Sequence, residues 1–362
     1  MPSIQIYLEI TIDQAGTLMA SFQAGFTILT LLGGIFSDYF HREWILMAGC
    51  FLLCAGSLFL CIVSSYALGI LAVWFMGAGI GFILSGSNSL LVGLYPTLKG
   101  TILNIHHVFF SVGAIIGPAL MGMLIIRGNH WRAGYFGAGI VLLILCFFFA
   151  FSKNKMVVGD GATYQGSNGM NNLLSDTKFI IILIVNFLTM GSQVVIMLFG
   201  AIFLIQAKQC SLAEAGAALS IFSVFMVVGR VACSRLSVRV KHASIVLVLL
   251  WFQVAMLLVL SQVSGWFALV VLAISGFTFS GTYPTLLALT SVLFPLREGT
   301  ALGLLSTMGG LGSIALCWLT GYVAGLTSVG IGFIVTILAC SAALVLFHLI
   351  YSALCRSESH EE

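Results

Sequence analysis

Apolar positions along the chain neither alternate nor keep to one helical face; they fill long unbroken runs separated by short polar clusters. Eleven such runs stand out, at 15-36, 44-64, 67-94, 101-126, 132-152, 179-205, 213-236, 243-262, 265-293, 299-325 and 328-353. An α-helix rises about 1.5 Å per residue and needs about 20 residues to cross a hydrocarbon core of about 30 Å, so each run is long enough to span a membrane. The one long polar stretch, Ser152 to Lys178, is rich in Gly, Asn and Ser and reads as a flexible linker. The predicted organisation is all-α: an N-terminal bundle over 1-152, a linker over 153-178 and a C-terminal bundle over 179-362.

Composition agrees. Of 362 residues, 60% are hydrophobic and 7% charged, against roughly a quarter charged in a soluble domain. Met1 to Asp13 lacks a basic start and carries Glu9 and Asp13, so it does not read as a cleavable signal peptide. Basic residues set the orientation, because cytoplasmic loops retain Lys and Arg. With the linker inside, Arg42, Lys99, Lys153, Lys155, Lys178, Arg230, Arg235, Arg239, Lys241, Arg297 and Arg356 lie on or near the cytoplasmic side and only Arg127, Arg132 and Lys208 face out. That split puts the C-terminus on the cytoplasmic side; the expected location is a plasma or bacterial inner membrane. A net charge of +3 gives no reason to expect nucleic acid. The nine cysteines form no CxxC pair and read as packing residues, with Cys210 alone expected on an exposed loop.

The halves repeat. "QAG" at Gln14 to Gly16 returns as "EAG" at Glu214 to Gly216, and "PTLKGTIL" (Pro96 to Leu103) returns as "PLREGTAL" (Pro295 to Leu302). Nearly the same offset pairs Gly77 with Gly276, Gly113 with Gly312, Leu120 with Leu319 and Gly122 with Gly321. Duplicated bundles are typical of transporters. The run 179-205 precedes "EAG", so the repeat predicts a counterpart ahead of "QAG", most of which would precede Met1. The expectation is eleven helices present of a twelve-helix architecture, with "MPSIQIYL" as the tail of the first.

Two six-helix halves joined by a cytoplasmic linker resemble the major facilitator superfamily, and "GGIFSDYFHRE" carries part of that resemblance. In that family's loop after the second helix, Gly34, Asp38 and Arg42 match the pattern, whereas Tyr39, His41 and Glu43 depart from it. Gly34 would let two helices approach closely, and Asp38 could pair with Arg42 or with a helix N-terminus. The resemblance implies a conformational latch formed by Gly34, Asp38 and Arg42. A further likeness, to the fucose permease branch and its sugar-transporting relatives, rests on Leu103, Asn104, His107, Phe110, Gly113, Ala114, Gly117 and Pro118, with "GRVACSRL", "GTYPTLLAL" and "GTALGLLSTMGGLGS" in the second half. It departs from that branch at Leu84, where the resembled permease has a carboxylate four residues before the asparagine that matches Asn88.

In the resembled fold the first, fourth, seventh and tenth helices line a central cavity. Their counterparts here hold uncharged polar residues: Ser85 and Asn88; Asn186, Thr189 and Gln193, spaced to share one face; and Ser275, Thr278, Thr282 and Tyr283. The runs 44-64, 132-152, 243-262 and 328-353, expected to face lipid, look almost wholly apolar. Such polar groups also join helices to one another in lipid, and both uses stay open for each. By the family pattern Asn104 and His107 turn inward, where Asn104 could hold a hydroxyl and His107 could bind or carry a proton; His106, about 100° away, reads as an interhelical contact. Arg230 is expected to snorkel or pair at the cytoplasmic rim. No Lys, Arg, Asp or Glu lies mid-span in these counterparts, which favours a neutral, hydroxyl-rich solute stacked on Trp74, Phe75 or Tyr283.

The substrate-binding set is thus Asn88, Asn104, His107, Asn186, Gln193, Thr282 and Tyr283, with no catalytic residue, metal ligand or cofactor beyond a coupling proton. The expected function is secondary transport of a small neutral polar solute, a sugar, coupled to protons, by a monomer in the lipid bilayer. The alternatives are a transport-incompetent sensor or partner protein, and an exporter of drugs or metabolites. No HExxH, GxSxG or Walker loop suggests an enzyme.

Overall fold

The computed structural model describes residues 7–8, 10–127, 131–151 and 173–361. The expected linker over 153-178 falls for most of its length outside them, as does most of "MPSIQIYL". Twelve helices are described: α1 (Ile12–Ser37), α2 (Arg42–Ile62), α3 (Tyr66–Leu94), α4 (Lys99–Ile126), α5 (Trp131–Phe151), α6 (Thr177–Lys208), α7 (Leu212–Leu236), α8 (His242–Gln262), α9 (Trp266–Ser280), α10 (Thr282–Leu293), α11 (Glu298–Leu326) and α12 (Val329–Glu361). They supply eleven spans long and apolar enough to cross a membrane, α9 and α10 together making one.

The duplicated sequence folds into duplicated local structure. At the start of α1, Thr11 and Gln14 form a capping box: the Gln14 amide donates to Thr11 Oγ1 at 3.3 Å and the Thr11 amide to Gln14 Oε1 at 3.0 Å. Ser211 and Glu214 do the same at the start of α7, with distances of 3.3 and 2.8 Å. Each box satisfies amide groups that a helix start leaves without partners. The "QAG" and "EAG" repeats therefore mark two equivalent helix entries.

Glycine sets the crossings. A side chain at Gly77 of α3 would collide with the carbonyl of Phe22 on α1, and one at Gly276 of α9 with the carbonyl of Phe222 on α7. Small residues at these points bring backbones into contact, a main source of packing energy where lipid offers no hydrophobic drive. Gly276→Val should therefore cost about 3 kcal/mol or more by overpacking, read as a fall in Tm of the detergent-solubilised protein. Gly113→Ala is the control, because a Cβ at Gly113 meets nothing within 4 Å. Its stability should hold.

Chain contacts divide the structure into two compact units, each cutting across the linear halves: Met1–Leu94, Gly113–Gln165 and Leu296–Thr307 form the first, and Tyr95–Val112, Gly166–Pro295 and Met308–Glu362 the second. The start of α4 thus belongs with the C-terminal helices and the start of α11 with the N-terminal ones. In the first unit Ile10, Leu18, Leu60, Val63, Ala72, Val73 and Trp131 make a hydrophobic cluster, and the Arg132 guanidinium lies 4.2 Å over the Tyr7 ring. In the second, Gly312 abuts the carbonyl of Phe187 on α6. Its repeat counterpart Gly113 is uncovered, and the α5 span is only 6% buried against 39% for its counterpart in α12. The surface that α6 covers in the second repeat has no equivalent cover among the described residues.

Three expectations change. The run 265-293 is not one helix: it breaks at Gly281, three residues before Pro284, which can neither donate to Ser280 nor continue the ladder. Cys210 is buried rather than exposed, its Sγ 3.7 Å from the Gly265 carbonyl, because the loop before α9 folds over it. The last helix runs past 353 because buried Glu358 accepts the amide of His242 and sits 2.7 Å from His242 Nδ1, capping α8. All nine cysteines are free thiols.

Candidate functional site

In the first unit, Asp38 ends α1 and faces the first turn of α11. Its Oδ1 accepts the Gly299 amide at 2.7 Å and its Oδ2 the Thr300 amide at 2.8 Å and the Thr300 hydroxyl. A carboxylate on exposed N–H groups at the positive end of a helix is a favourable pairing. Of the two partners open to Asp38, the helix terminus takes it, and Arg42 instead pairs with Glu298 Oε2 at 3.4 Å while donating to the Ser89 carbonyl. The approach depends on Gly34, where a Cβ would lie 2.5 Å from Gly303 Cα. Tyr39 fills a place that is basic in the family pattern; its hydroxyl accepts from Arg297 at 2.7 Å, where a second cation would meet the guanidinium head-on. Asp38, outside the spans, has its carboxyl held above the usual range because burial outweighs the Thr300 and Gly299 hydrogen bonds and the Arg297 charge.

Also in the first unit, Asn88 on α3 is fully buried, and among the described residues neither its Nδ2 nor its Oδ1 has a hydrogen-bond partner. The neighbouring Ser89 hydroxyl is likewise buried and unbonded. Ser85 is different, since its hydroxyl is bonded to the Gly81 carbonyl one turn back at 3.0 Å. Trp74 and Phe75 meet edge to face at 5.5 Å, both half-buried.

In the second unit, Asn104 and His107 on the first turns of α4 are both buried. Asn104 Nδ2 donates to the Gly100 carbonyl at 2.8 Å and to Thr285 Oγ1 at 3.3 Å, leaving Oδ1 as an unused acceptor. The His107 ring stands edge-on to Tyr283 at 5.1 Å with its Nε2 unbonded. His106 lies 5.2 Å from His107 ring to ring. On α6, Asn186 and Gln193 are buried, with Asn186 Nδ2 2.9 Å from where a Cβ on Gly309 would stand; that glycine admits the amide.

The hydroxyls singled out by sequence are mostly spent locally: Thr189 on Val185, Ser275 on Leu272, Thr278 on Ser275. Short hydroxyl side chains reach their own helix's carbonyls, whereas amides and imidazoles retain unfilled capacity. Thr282 is occupied too, accepting from Gln253 Nε2 at 2.7 Å and donating to the Thr278 carbonyl at 3.4 Å. The structure thus joins Asn104 with Thr285 and His107 with Tyr283, and ties Thr282 into the helix break instead of leaving it open to solute.

The whole pattern of eleven spans, paired glycine crossings and a helix terminus capped by Asp38 meets its match in comparison. The sequence model of the Major Facilitator Superfamily fits residues 1–315 and, in a second placement, 179–358. The chain belongs to the major facilitator superfamily. Among solved structures, it superimposes on the superfamily transporter FucP in its outward conformation with a TM-score of 0.82 at 18% identity, covering 96% of this chain and 92% of that one. The Escherichia coli fucose:proton symporter FucP in a second structure gives 0.79 at 16% identity, covering 96% and 92%. The proton:xylose symporter XylE bound to 6-bromo-6-deoxy-D-glucose gives 0.78 at 14% identity, covering 97% and 90%. At these identities the likeness establishes the fold. No curated protein matches the chain by sequence.

Within this superfamily fold, several polar residues escaped the sequence reading. Glu298 aligns with Lys99 at the repeat offset, a charge reversal visible in "PLREGT" against "PTLKGT". Gln253 interrupts the otherwise apolar α8 and is fully buried. Arg230 is not at a rim: it is buried in the second unit, bonded to the His107 and Ser280 carbonyls at 2.7 and 3.2 Å. Its position one helical turn and a half before a cytoplasmic end suggested snorkelling, and only the close approach of α7 to α9 brings it inward.

Proposed function

We propose that the protein is a secondary transporter of a small, neutral, hydroxyl-rich solute, a sugar, coupled to protons. The observation that carries this reading is Asn88, a fully buried amide whose donor and acceptor both lack partners among the described residues. Leaving buried polar groups unbonded costs about 1–3 kcal/mol each, and a sugar hydroxyl, donor and acceptor at once, fits such groups without requiring charge. In the second unit, Asn104 Oδ1 and His107 Nε2 likewise have no hydrogen-bond partner among the described residues, and no Asp, Glu, Lys or Arg lies mid-span in α3, α6 or α9–α10. Two of the superimposed transporters are proton symporters of sugars, which supports the coupling; His107 is the proton carrier in this reading. The distribution of basic residues supports a cytoplasmic side for the Asp38 latch, where breaking its bonds to Gly299 and Thr300 would free the start of α11.

Proteoliposomes containing the purified chain, given radiolabelled L-fucose, D-xylose or D-glucose and an inward proton gradient, should accumulate at least one sugar above protein-free vesicles. A protonophore should abolish that accumulation. Correctly folded protein that takes up none of the three, with or without the gradient, would contradict the reading.

A further inference from the structure

We infer that Arg230 and Gln253 are the pins of a hinge at Gly281, and that Arg230 couples this hinge to the segment of α4 that carries His107. All the groups involved lie within the second unit.

The break between α9 and α10 has a chemical cause. Pro284 has no N–H, so the carbonyl of Ser280 loses the donor that a continuous helix would supply four residues on. Within a membrane span such a carbonyl needs a partner from the protein or a water-lined cavity. Arg230 Nε takes that place, donating to the Ser280 carbonyl at 3.2 Å. Gln253 braces the break two residues earlier: its Nε2 donates to the Thr278 carbonyl at 3.0 Å and to Thr282 Oγ1 at 2.7 Å, bridging the two sides. Side chains from two neighbouring helices thus hold the break, Arg230 in place of a main-chain donor and Gln253 across it.

The fork of Arg230 has a second arm. Its Nη1 donates to the His107 carbonyl at 2.7 Å and to the Ser111 hydroxyl. Among the described residues it forms no ion pair, so its charge rests on carbonyl and hydroxyl dipoles. An arginine within a span is expensive and retained for function. Gly229 beside it permits the reach, since a side chain there would collide with Ser280 Oγ. His107 is therefore held from two directions, through its carbonyl by Arg230 and at its ring by Tyr283, the residue just before Pro284. A rotation at Gly281 shifts Tyr283 relative to Ser280 and its Arg230 pin, and so changes how His107 is held between them.

The role is one of positioning, and Pro284 supplies the test. Pro284→Ala restores a main-chain donor for Ser280. Arg230→Met should lower Tm and speed amide exchange over residues 278–286 by about tenfold, and the Arg230→Met, Pro284→Ala double variant should regain most of both losses. Gln253→Leu should give the same signature more weakly, and Arg230→Lys, which keeps one donor, an intermediate one that stands in should Arg230→Met fail to fold. In the uptake assay, which alone rests on the transporter reading, Arg230→Met should lower the maximal rate about tenfold with KM within about twofold. Strictly additive losses in the double variant would overturn the hinge assignment. So would a raised KM at an unchanged maximal rate, which would make Arg230 a solute ligand. Tm and exchange need no solute, so an absence of uptake in the wild type leaves this test intact.

Discussion

Asp38→Ala should release the start of α11 and lower both stability and transport. The substitution deletes an acceptor for two amides and one hydroxyl at the helix terminus. Hydrogen bonds to a charged acceptor contribute about 1.5–3 kcal/mol each, and the amides of Gly299 and Thr300 would be left without that partner. A loss of about 3 kcal/mol in thermal unfolding is the expected size, with uptake reduced at least about tenfold. An Asp38→Ala protein as stable and as active as wild type would show that the terminus is held by Gly34 packing alone.

The same carboxyl gives a pH dependence with a definite sign. Burial holds the folded pKa of Asp38 above that of the unfolded chain. A group raised in this way contributes its full stability below the unfolded value and loses it as pH rises through the folded one. The stability gap between wild type and Asp38→Asn, which has nothing to titrate, should therefore be widest in acid and narrow as pH rises through that window. Paired unfolding curves at several pH values would measure it.

Asn88→Leu should have the opposite effect on stability and the largest effect on function. Removing two unbonded polar atoms from a fully buried position, and replacing them with a side chain of similar volume, should raise Tm. Solute transport should fall by about a hundredfold, the order expected when a hydrogen-bonding site loses its partner for a polar solute. A residue that only joined helices would behave otherwise, because its loss would lower stability and spare uptake.

Most of the fold was legible because lipid imposes one requirement on every span, an unbroken apolar run with internal backbone bonds. The eleven runs, the paired entries at Gln14 and Glu214 and the tight crossings at Gly77 and Gly276 all follow from sequence in that way. The helix break was missed although Pro284 stood in plain view, because apolar content on both sides of Gly281 hid it. Asn88 and Gln193 were legible as amides in oil. The ties of Thr282 to Gln253, and of Arg230 to Ser280 and His107, were not, since they join residues 29 and 50 or more positions apart through contacts that no local period encodes. Burial of Cys210 was hidden for the same reason: a loop looks exposed until the segment that covers it is placed.

The central claim is that buried uncharged groups with unfilled hydrogen-bonding capacity hold the solute, and Asn88 tests it most directly. Purified wild-type protein and Asn88→Leu should be compared for proton-driven uptake of the same labelled sugar, with Tm recorded on the same preparations. The account predicts uptake by the wild type, uptake lower by about a hundredfold in the variant and a higher Tm for the variant. A variant that transports as well as wild type, or that loses transport only because it unfolds at a lower temperature, would contradict it.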